Sequence, residues 1–171
     1  MTIPISPSFE IETLTFRENP FHSDPGKIRT IVSETGFFTQ EEIGIAVELV
    51  SERLSQGAQS GYFFLFAEEK DNIIGYTCYG PVTGTQSSFD LYWIVVDQRF
   101  QESGIGRLLN LMTEDAVRKM GGTRLYAETS SKKQYEPTRT FYRKMGYHEA
   151  AFLEDFYAPD DGKIIFVKKV V

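Results

Sequence analysis

The residues most able to do chemistry lie in the run Val95-Val96-Asp97-Gln98-Arg99-Phe100-Gln101-Glu102-Ser103-Gly104-Ile105-Gly106-Arg107-Leu108-Leu109. Gly104 and Gly106 stand between an apolar, β-branched segment and the start of an amphipathic one. Glycine opens backbone dihedrals closed to other residues and lets a ligand come up to the main chain. The first amides of a helix have no internal partner and, with the helix dipole, form an anion site suited to a pyrophosphate. Arg99 and Arg107 would strengthen it. Two common phosphate loops do not fit. A dinucleotide fingerprint needs a third glycine where Leu109 stands, and a Walker loop needs Gly-Lys-Ser/Thr. Taken alone, Gly-x-Gly also suits a tight turn between strand and helix.

Other reactive residue types are sparse. Cys78 is the single cysteine, so there is no disulfide scaffold, and with no histidine near it in sequence it reads as a small buried hydrophobe. His22 and His148 allow no local triad and, with Cys78, no structural zinc site, so no metal is expected.

The elements that must position the glycine turn can be read from periodicity. Phe9–Glu18 reads as a strand, and Asp24-Pro25-Gly26 opens a helical stretch through Thr35. Thr39, followed by Glu41 and Glu42, resembles an N-cap with acids in the first turn. Ile43, Ala46, Val47, Val50 and Leu54 then keep helical spacing up to Gly57. Gly61–Glu69, Ile73–Gly80 and Phe89–Asp97 read as strands, and Leu91–Val96 is apolar enough to be covered on both faces. Ile105, Leu108, Leu109, Met112, Ala116, Val117 and Met120 share one helical face, which stops at Gly121-Gly122. Thr123–Ser130 is a strand, and Pro137–Met145 a helix with Gly146 after its end. Tyr147–Tyr157 and Lys163–Val170 are strands about the turn Pro159-Asp160-Asp161-Gly162. The order is β–α–α–β–β–β–α–β–α–β–β. The strand–helix–strand unit from Asp90 to Thr129 should be parallel and the hairpins antiparallel. The expected class is α/β, in the sense of a mixed α+β sheet: about seven strands flanked by about four helices on both faces.

On these residues the chain resembles the GNAT superfamily of acyl-CoA-dependent N-acyltransferases. Gln101-x-x-Gly104-x-Gly106, after a strand ending Val-Asp and before a Leu-rich helix, looks like the family's acyl-CoA pyrophosphate loop, with Gln101 where Arg is often found. Thr138–Tyr147, TRTFYRKMGY, looks like its last helix and the strand after it, and the element order matches over essentially the whole chain.

The resemblance implies a GNAT-like fold, a single N-acetyltransferase domain over residues 1–171, and acetyl-CoA as co-substrate. The pyrophosphate would lie on the amides of Gln101, Glu102, Ser103, Gly104, Ile105 and Gly106, with Arg107 alongside. The pantetheine would pair with the backbone of Ile94, Val95 and Val96, and the Val95 amide would serve as oxyanion donor. Thr129, Ser130 and Tyr135 would touch the cofactor, though the Asn often present there is missing. Lys132 and Lys133 could meet the 3′-phosphate or solvate a loop. Tyr142 matches the tyrosine that protonates the leaving thiolate; beside Phe141 it would otherwise be a core residue. Asp90 stands where some members carry a catalytic Glu, and Glu128 is a second carboxylate; both also read as solvated strand-end residues. Phe37, Phe38, Tyr79 and Phe156 could line an acceptor pocket or pack the core. The implied reaction is acetyl transfer to a primary amine by direct attack, with a small-molecule acceptor favoured. Acetylation of a protein N-terminus or lysine, and a non-catalytic acyl-CoA-binding module, are the alternatives. A small-molecule enzyme should close its pocket with Phe37–Glu42 and the final hairpin.

Composition bounds the rest. The 171 residues are 41% hydrophobic and 25% charged, which suits one ordinary folded domain rather than a disordered chain. The 18 Lys+Arg against 24 Asp+Glu give a net charge of −6, unsuited to nucleic acid. The excess lies wholly in residues 1–85, with 5 basic against 12 acidic groups, which could attract a cationic substrate. No apolar run spans a membrane and the N-terminus lacks a signal-peptide pattern, so a cytoplasmic protein is expected, with a homodimer left open.

Overall fold

The computed structural model describes residues 14–171. They form β1 (Thr15–Arg17), α1 (Asp24–Glu34), α2 (Gln40–Gln56), β2 (Phe63–Glu69), β3 (Asn72–Pro81), β4 (Ser88–Val96), α3 (Ile105–Lys119), β5 (Arg124–Ser130), α4 (Glu136–Lys144), β6 (His148–Ala158) and β7 (Asp161–Lys169). The seven strands make one sheet in the order β1-β2-β3-β4-β5-β7-β6. Its pairings are antiparallel except β4 with β5, which run parallel as the intervening helix requires. This is the mixed α/β architecture expected from the sequence.

Some bounds differ. Only Thr15–Arg17 of the first expected strand pairs with β2, and residues 9–13 lie outside the described residues. β3 runs through Pro81, which sits opposite Phe89. The last turn shrinks to Pro159-Asp160, because Asp161 is already paired with Ala158. Three short 3-10 turns, Gly57–Ser60, Gln98–Phe100 and Lys133–Tyr135, had no sequence signal, since a single turn is too short to display a period.

Alternation along the strands sorts the core onto two faces. On one, Ile28, Val32, Ile43, Ala46 and Val50 of α1 and α2 cover Phe64, Phe66, Tyr76, Cys78 and Val95. There the Cys78 thiol is fully buried and burial pushes its pKa up, which leaves it unreactive. On the other face, Ile105 and Leu109 of α3 cover Leu65, Ala67 and Ile74, while Val117 and the α4 residue Tyr142 meet Phe89, Leu91, Leu125, Ala127 and Phe166. No helix among the described residues is long and apolar enough to cross a membrane.

One irregularity shapes the centre. Tyr79 is opposite Leu91 but Cys78 is opposite Trp93, so Tyr92 is an extra residue, a β-bulge in β4. The bulge reverses the alternation. Leu91 faces the α3–α4 side, whereas Trp93 and Val95 face α1 and α2. Pairing of β4 with β5 stops at the same point: Ser88–Leu91 match Arg124–Ala127, and no pairs follow. The strands part into a V whose apex is Leu91 and Ala127.

Candidate active site

One wall of the V is the unpaired edge of β4 from Tyr92 to Val96, where the backbone groups of Ile94 and Val96 point outward; those of Val95, expected from the sequence to meet the ligand, are instead turned to Tyr76 of β3. Such an edge offers its N–H and C=O groups to an extended ligand. At the wide end, β4 passes through the Gln98–Phe100 turn into α3. Glu102 (φ +62°) and Gly104 (φ +90°) both take left-handed backbone, which folds the Gln101–Gly104 segment back onto the helix start. Gly104 is the N-cap of α3 and supplies no capping side chain. The contrast with α2 is informative: Thr39 and Glu42 close that helix with a reciprocal capping box. The α3 amides therefore remain open to an anion, as its sequence suggested. Ser103 Oγ donates to the Phe100 carbonyl and Gln101 donates to the Val96 carbonyl, which hold the turn. Arg107 is exposed at this end of α3. Arg99 is committed elsewhere, bonded to Asp97 at 2.6 Å, and holds that carboxyl below its usual range.

A Cβ on Gly106 would lie 3.6 Å from both the Phe141 ring and a Val96 methyl, an ordinary contact. The glycine is thus not demanded by the protein's own packing, in keeping with a surface that a ligand approaches. Gly106→Val is expected to weaken CoA binding by about tenfold or more, because branched carbon would stand beside the amides that take the anion. Calorimetry with CoA, alongside circular dichroism to check folding, tests this. Unchanged affinity in a folded variant would remove the turn from the binding site.

Tyr142 lies at the apex on the α3–α4 face, in the cluster that holds Leu91 and Ala127, with its ring 5.3 Å from those of Tyr147 and Phe166. Burial alone pushes its phenol up, so it stays protonated and has a proton to give. On the opposite face the same alternation presents Asp90, Tyr126 and Glu128. With Leu91 and Tyr92 they line a cavity of about 140 Å³ at the apex. Asp90 is raised above its ordinary value by burial first and by the Glu128 charge second, with Lys163 pulling the other way. Tyr92 is pushed up to about 12 by burial and by the Asp90 charge, and its ring meets Tyr62 edge-on at 5.5 Å. A larger cavity, about 340 Å³, lies between α1, the β2–β3 turn and Asp97–Phe100, and is lined by none of these apex residues.

One contact crosses the outer rim. Tyr135 Oη donates to the Phe37 carbonyl at 3.3 Å, and the two rings lie 6.2 Å apart. This joins the loop before α4 to the loop between α1 and α2. Tyr157 of β6 is raised to about 12 by burial, by Glu128 and, among lesser charges, by Glu42 at the start of α2. Glu42 at the start of α2 and Tyr157 of the final hairpin therefore border the same side of the sheet. The Thr129–Lys132 segment is fixed by buried Arg139, which donates to the Ser130 and Lys132 carbonyls, and by the Ser130–Asp161 hydrogen bond. Lys132 pairs with Asp161 at 3.3 Å.

The structure therefore gathers Asp90, Val95, Thr129, Ser130 and Tyr142 around the V and places Gln101–Arg107 at its wide end. Tyr79 is separated from the acceptor pocket, because its side of the bulge faces α3 and α4. Phe38 packs on Trp93 with centroids 4.8 Å apart. Sequence reasoning missed Lys163, Tyr92, Tyr126 and Arg139. A bulge and a cross-strand pair leave no local pattern, and Arg139 gave only the look of a helical surface residue. No group of three or more His, Cys, Asp or Glu that could hold a metal ion occurs among the described residues.

Comparison with known proteins agrees with this geometry. The family model for an acetyltransferase (GNAT) domain matches residues 60–149. A search of curated proteins found no match. Among solved structures, a protein from Desulfovibrio desulfuricans assigned to the GNAT acetyltransferases superposes with a TM-score of 0.91 at 45% identity, over 92% of this chain and 99% of that one. Two more distant structures share the fold alone. A ribosomal-protein alanine N-acetyltransferase from Escherichia coli gives 0.72 at 19% identity, covering 92% of this chain and 94% of its own. An aminoglycoside N-acetyltransferase complexed with coenzyme A gives 0.71 at 18%, covering 92% and 97%. With its strand-to-helix glycine turn, its V-shaped gap and the 45% identical neighbour, the chain belongs to the GNAT family of acetyltransferases.

Proposed function

We propose that the chain, as one domain, transfers an acetyl group from acetyl-CoA to a primary amine of a small cationic acceptor, by direct attack. The observation that carries this reading is the arrangement at the apex. A buried phenol lies on one face of the sheet and a carboxylate with a raised pKa on the other, where β4 and β5 part. The distant relatives act on a protein and on an aminoglycoside, so the fold alone does not choose between acceptors. The choice of a small molecule rests on the small apex cavity and the Tyr135–Phe37 contact at its rim, and that of a cation on Asp90, whose carboxylate has no paired cation among the described residues, whereas Glu128 is paired with Lys163. Glu48 and Glu52 of α2 add to this field, since both raise Tyr62, whose ring meets Tyr92.

In this scheme the unpaired β4 edge holds the pantetheine arm in line with the sheet, and the amides of Gln101–Gly106 take the pyrophosphate. The Ile94 N–H, on the open edge of β4, would face the developing negative charge on the thioester oxygen, in place of the Val95 amide, which the β3–β4 register turns toward Tyr76. Asp90 draws the acceptor's ammonium to the apex and takes its proton, directly or through a water. The amine nitrogen bonds to the acetyl carbon, the carbon–sulfur bond breaks, Tyr142 hands its proton to the leaving sulfur, and the second proton shed by the new amide nitrogen returns through solvent to restore the phenol.

The test is thiol release from acetyl-CoA across a panel of amines, amino acids, polyamines, aminoglycosides and peptides. Small cationic amines are expected to react, with kcat/KM falling as salt rises, because exposed charges are screened within about 8–10 Å. The rate should climb with pH. Asp90 must lose a proton that its surroundings hold above the usual carboxylate range, and a free alkyl ammonium deprotonates only near about 10. A preferred acceptor of net negative charge, or a peptide preferred over every small amine, would overturn the assignment of the acceptor.

A further inference from the structure

On β7, alternation sends Ile164 and Phe166 toward α4 and Lys163 to the acceptor face. Lys163 Nζ lies 2.6 Å from Glu128 Oε2 and 3.8 Å from the centroid of the Phe156 ring, with the Tyr157 ring at 5.7 Å. Its side chain is only 13% exposed. An ammonium held between a carboxylate and aromatic faces is the environment expected for the acceptor itself. Here the protein fills one such place with its own lysine.

Three charges therefore meet at the apex: Asp90, Glu128 and Lys163. The ion pair matches Glu128, and Asp90 is left as the unmatched carboxylate. We propose that Lys163 sets acceptor specificity: by occupying the cation place between Glu128 and Phe156, it leaves room for one acceptor ammonium beside Asp90 and selects against acceptors that bring two. A second ammonium would have to stand next to Lys163, and like charges in contact oppose binding. The inference rests on the acetyl-transfer reading for its biological sense, but not for its test, which measures binding as well as turnover.

The test compares butylamine with 1,4-diaminobutane on the wild-type protein, Lys163→Met and Lys163→Arg. Methionine keeps the buried stem and removes the charge, whereas arginine keeps the charge. By calorimetry, Lys163→Met should shift the diamine-to-monoamine affinity ratio by about tenfold toward the diamine, while Lys163→Arg keeps the wild-type ratio. The acidic limb of kcat/KM for butylamine should move to higher pH in Lys163→Met. Removing a cation near Asp90 makes its carboxylate harder to ionise, with Glu128 on β5 now unpaired and only the phenols of Tyr92 and Tyr126 otherwise lining the pocket. Glu128→Gln supplies a second variant with the opposite sign: it leaves Lys163 unmatched and should weaken butylamine binding. An equal loss for both amines in Lys163→Met, with the pH limb unmoved, would make Lys163 a structural residue and overturn the proposal, as would failure of both amines to bind the wild-type protein. A shifted affinity ratio with no thiol release would uphold the charge selection and overturn acetyl transfer instead.

Discussion

Tyr142→Phe is expected to lower kcat by about 10²–10⁴-fold, the usual worth of a general acid, with a much smaller change in acetyl-CoA affinity. Phenylalanine keeps the ring that packs against Phe141, Tyr147 and Phe166, so the variant loses one hydroxyl and little packing. Burial makes this phenol a weaker acid than tyrosine in water, where its pKa is 10.0, which at first sight argues against a donor. The receiving thiolate, however, would be desolvated in the same place. Burial raises thiols too, as it does for Cys78 on the neighbouring strand. The two pKa values rise together, so the proton passes between groups that remain matched, without water as intermediary. Steady-state kinetics with calorimetry separates the roles. A folded Tyr142→Phe protein with normal turnover would reduce Tyr142 to a core side chain.

Asp90→Asn should cost a similar factor, about 10²–10⁴-fold in kcat/KM, and should flatten the acidic side of the pH profile. Its effect on stability should run the other way. A carboxylate whose folded pKa lies above its unfolded one is less stable charged in the fold than in the open chain, so at neutral pH its ionisation opposes folding. The neutral amide lacks that penalty, and the variant should melt no lower than the wild type, a pairing typical of residues kept for activity rather than stability. A melting temperature that drops sharply while activity persists would assign Asp90 to the framework. Glu128 is the weaker candidate for this role because Lys163 already holds it at 2.6 Å.

These expectations depend on features that sequence discloses to different degrees. The α2 helix was plain because Thr39 with Glu42 caps it and its apolar residues keep one face. The parallel β4–β5 pair followed from a helix joining two apolar runs. The glycine turn was visible because Gly104 needs a conformation that few other residues accept. Tyr142 was different: its local pattern fits a core tyrosine equally well, and only likeness to a family lifted it out. Lys163 could not be found from a linear pattern at all. Its partner Glu128 belongs to a strand separated from it by α4 and β6, and Phe156 reaches it through an irregular stretch of the β6–β7 hairpin. Charge selection of this kind arises from pairing register, which periodicity within one segment does not encode.

The bulge at Tyr92 carries a consequence for how this strand can vary. Because Tyr92 is the extra residue, Leu91 and Trp93 lie on opposite faces although they are two positions apart. Deleting position 92 would make Leu91 and Trp93 ordinary neighbours on opposite faces, with Val95 still toward α1 and α2, and would remove the irregularity at which β4 leaves β5. The gap that admits a ligand would then zip shut. The length of the strand at this point is therefore a stricter requirement than the identity of the residue occupying it. A substitution at position 92 alters one wall of a pocket, whereas the loss of a single codon there would remove the pocket.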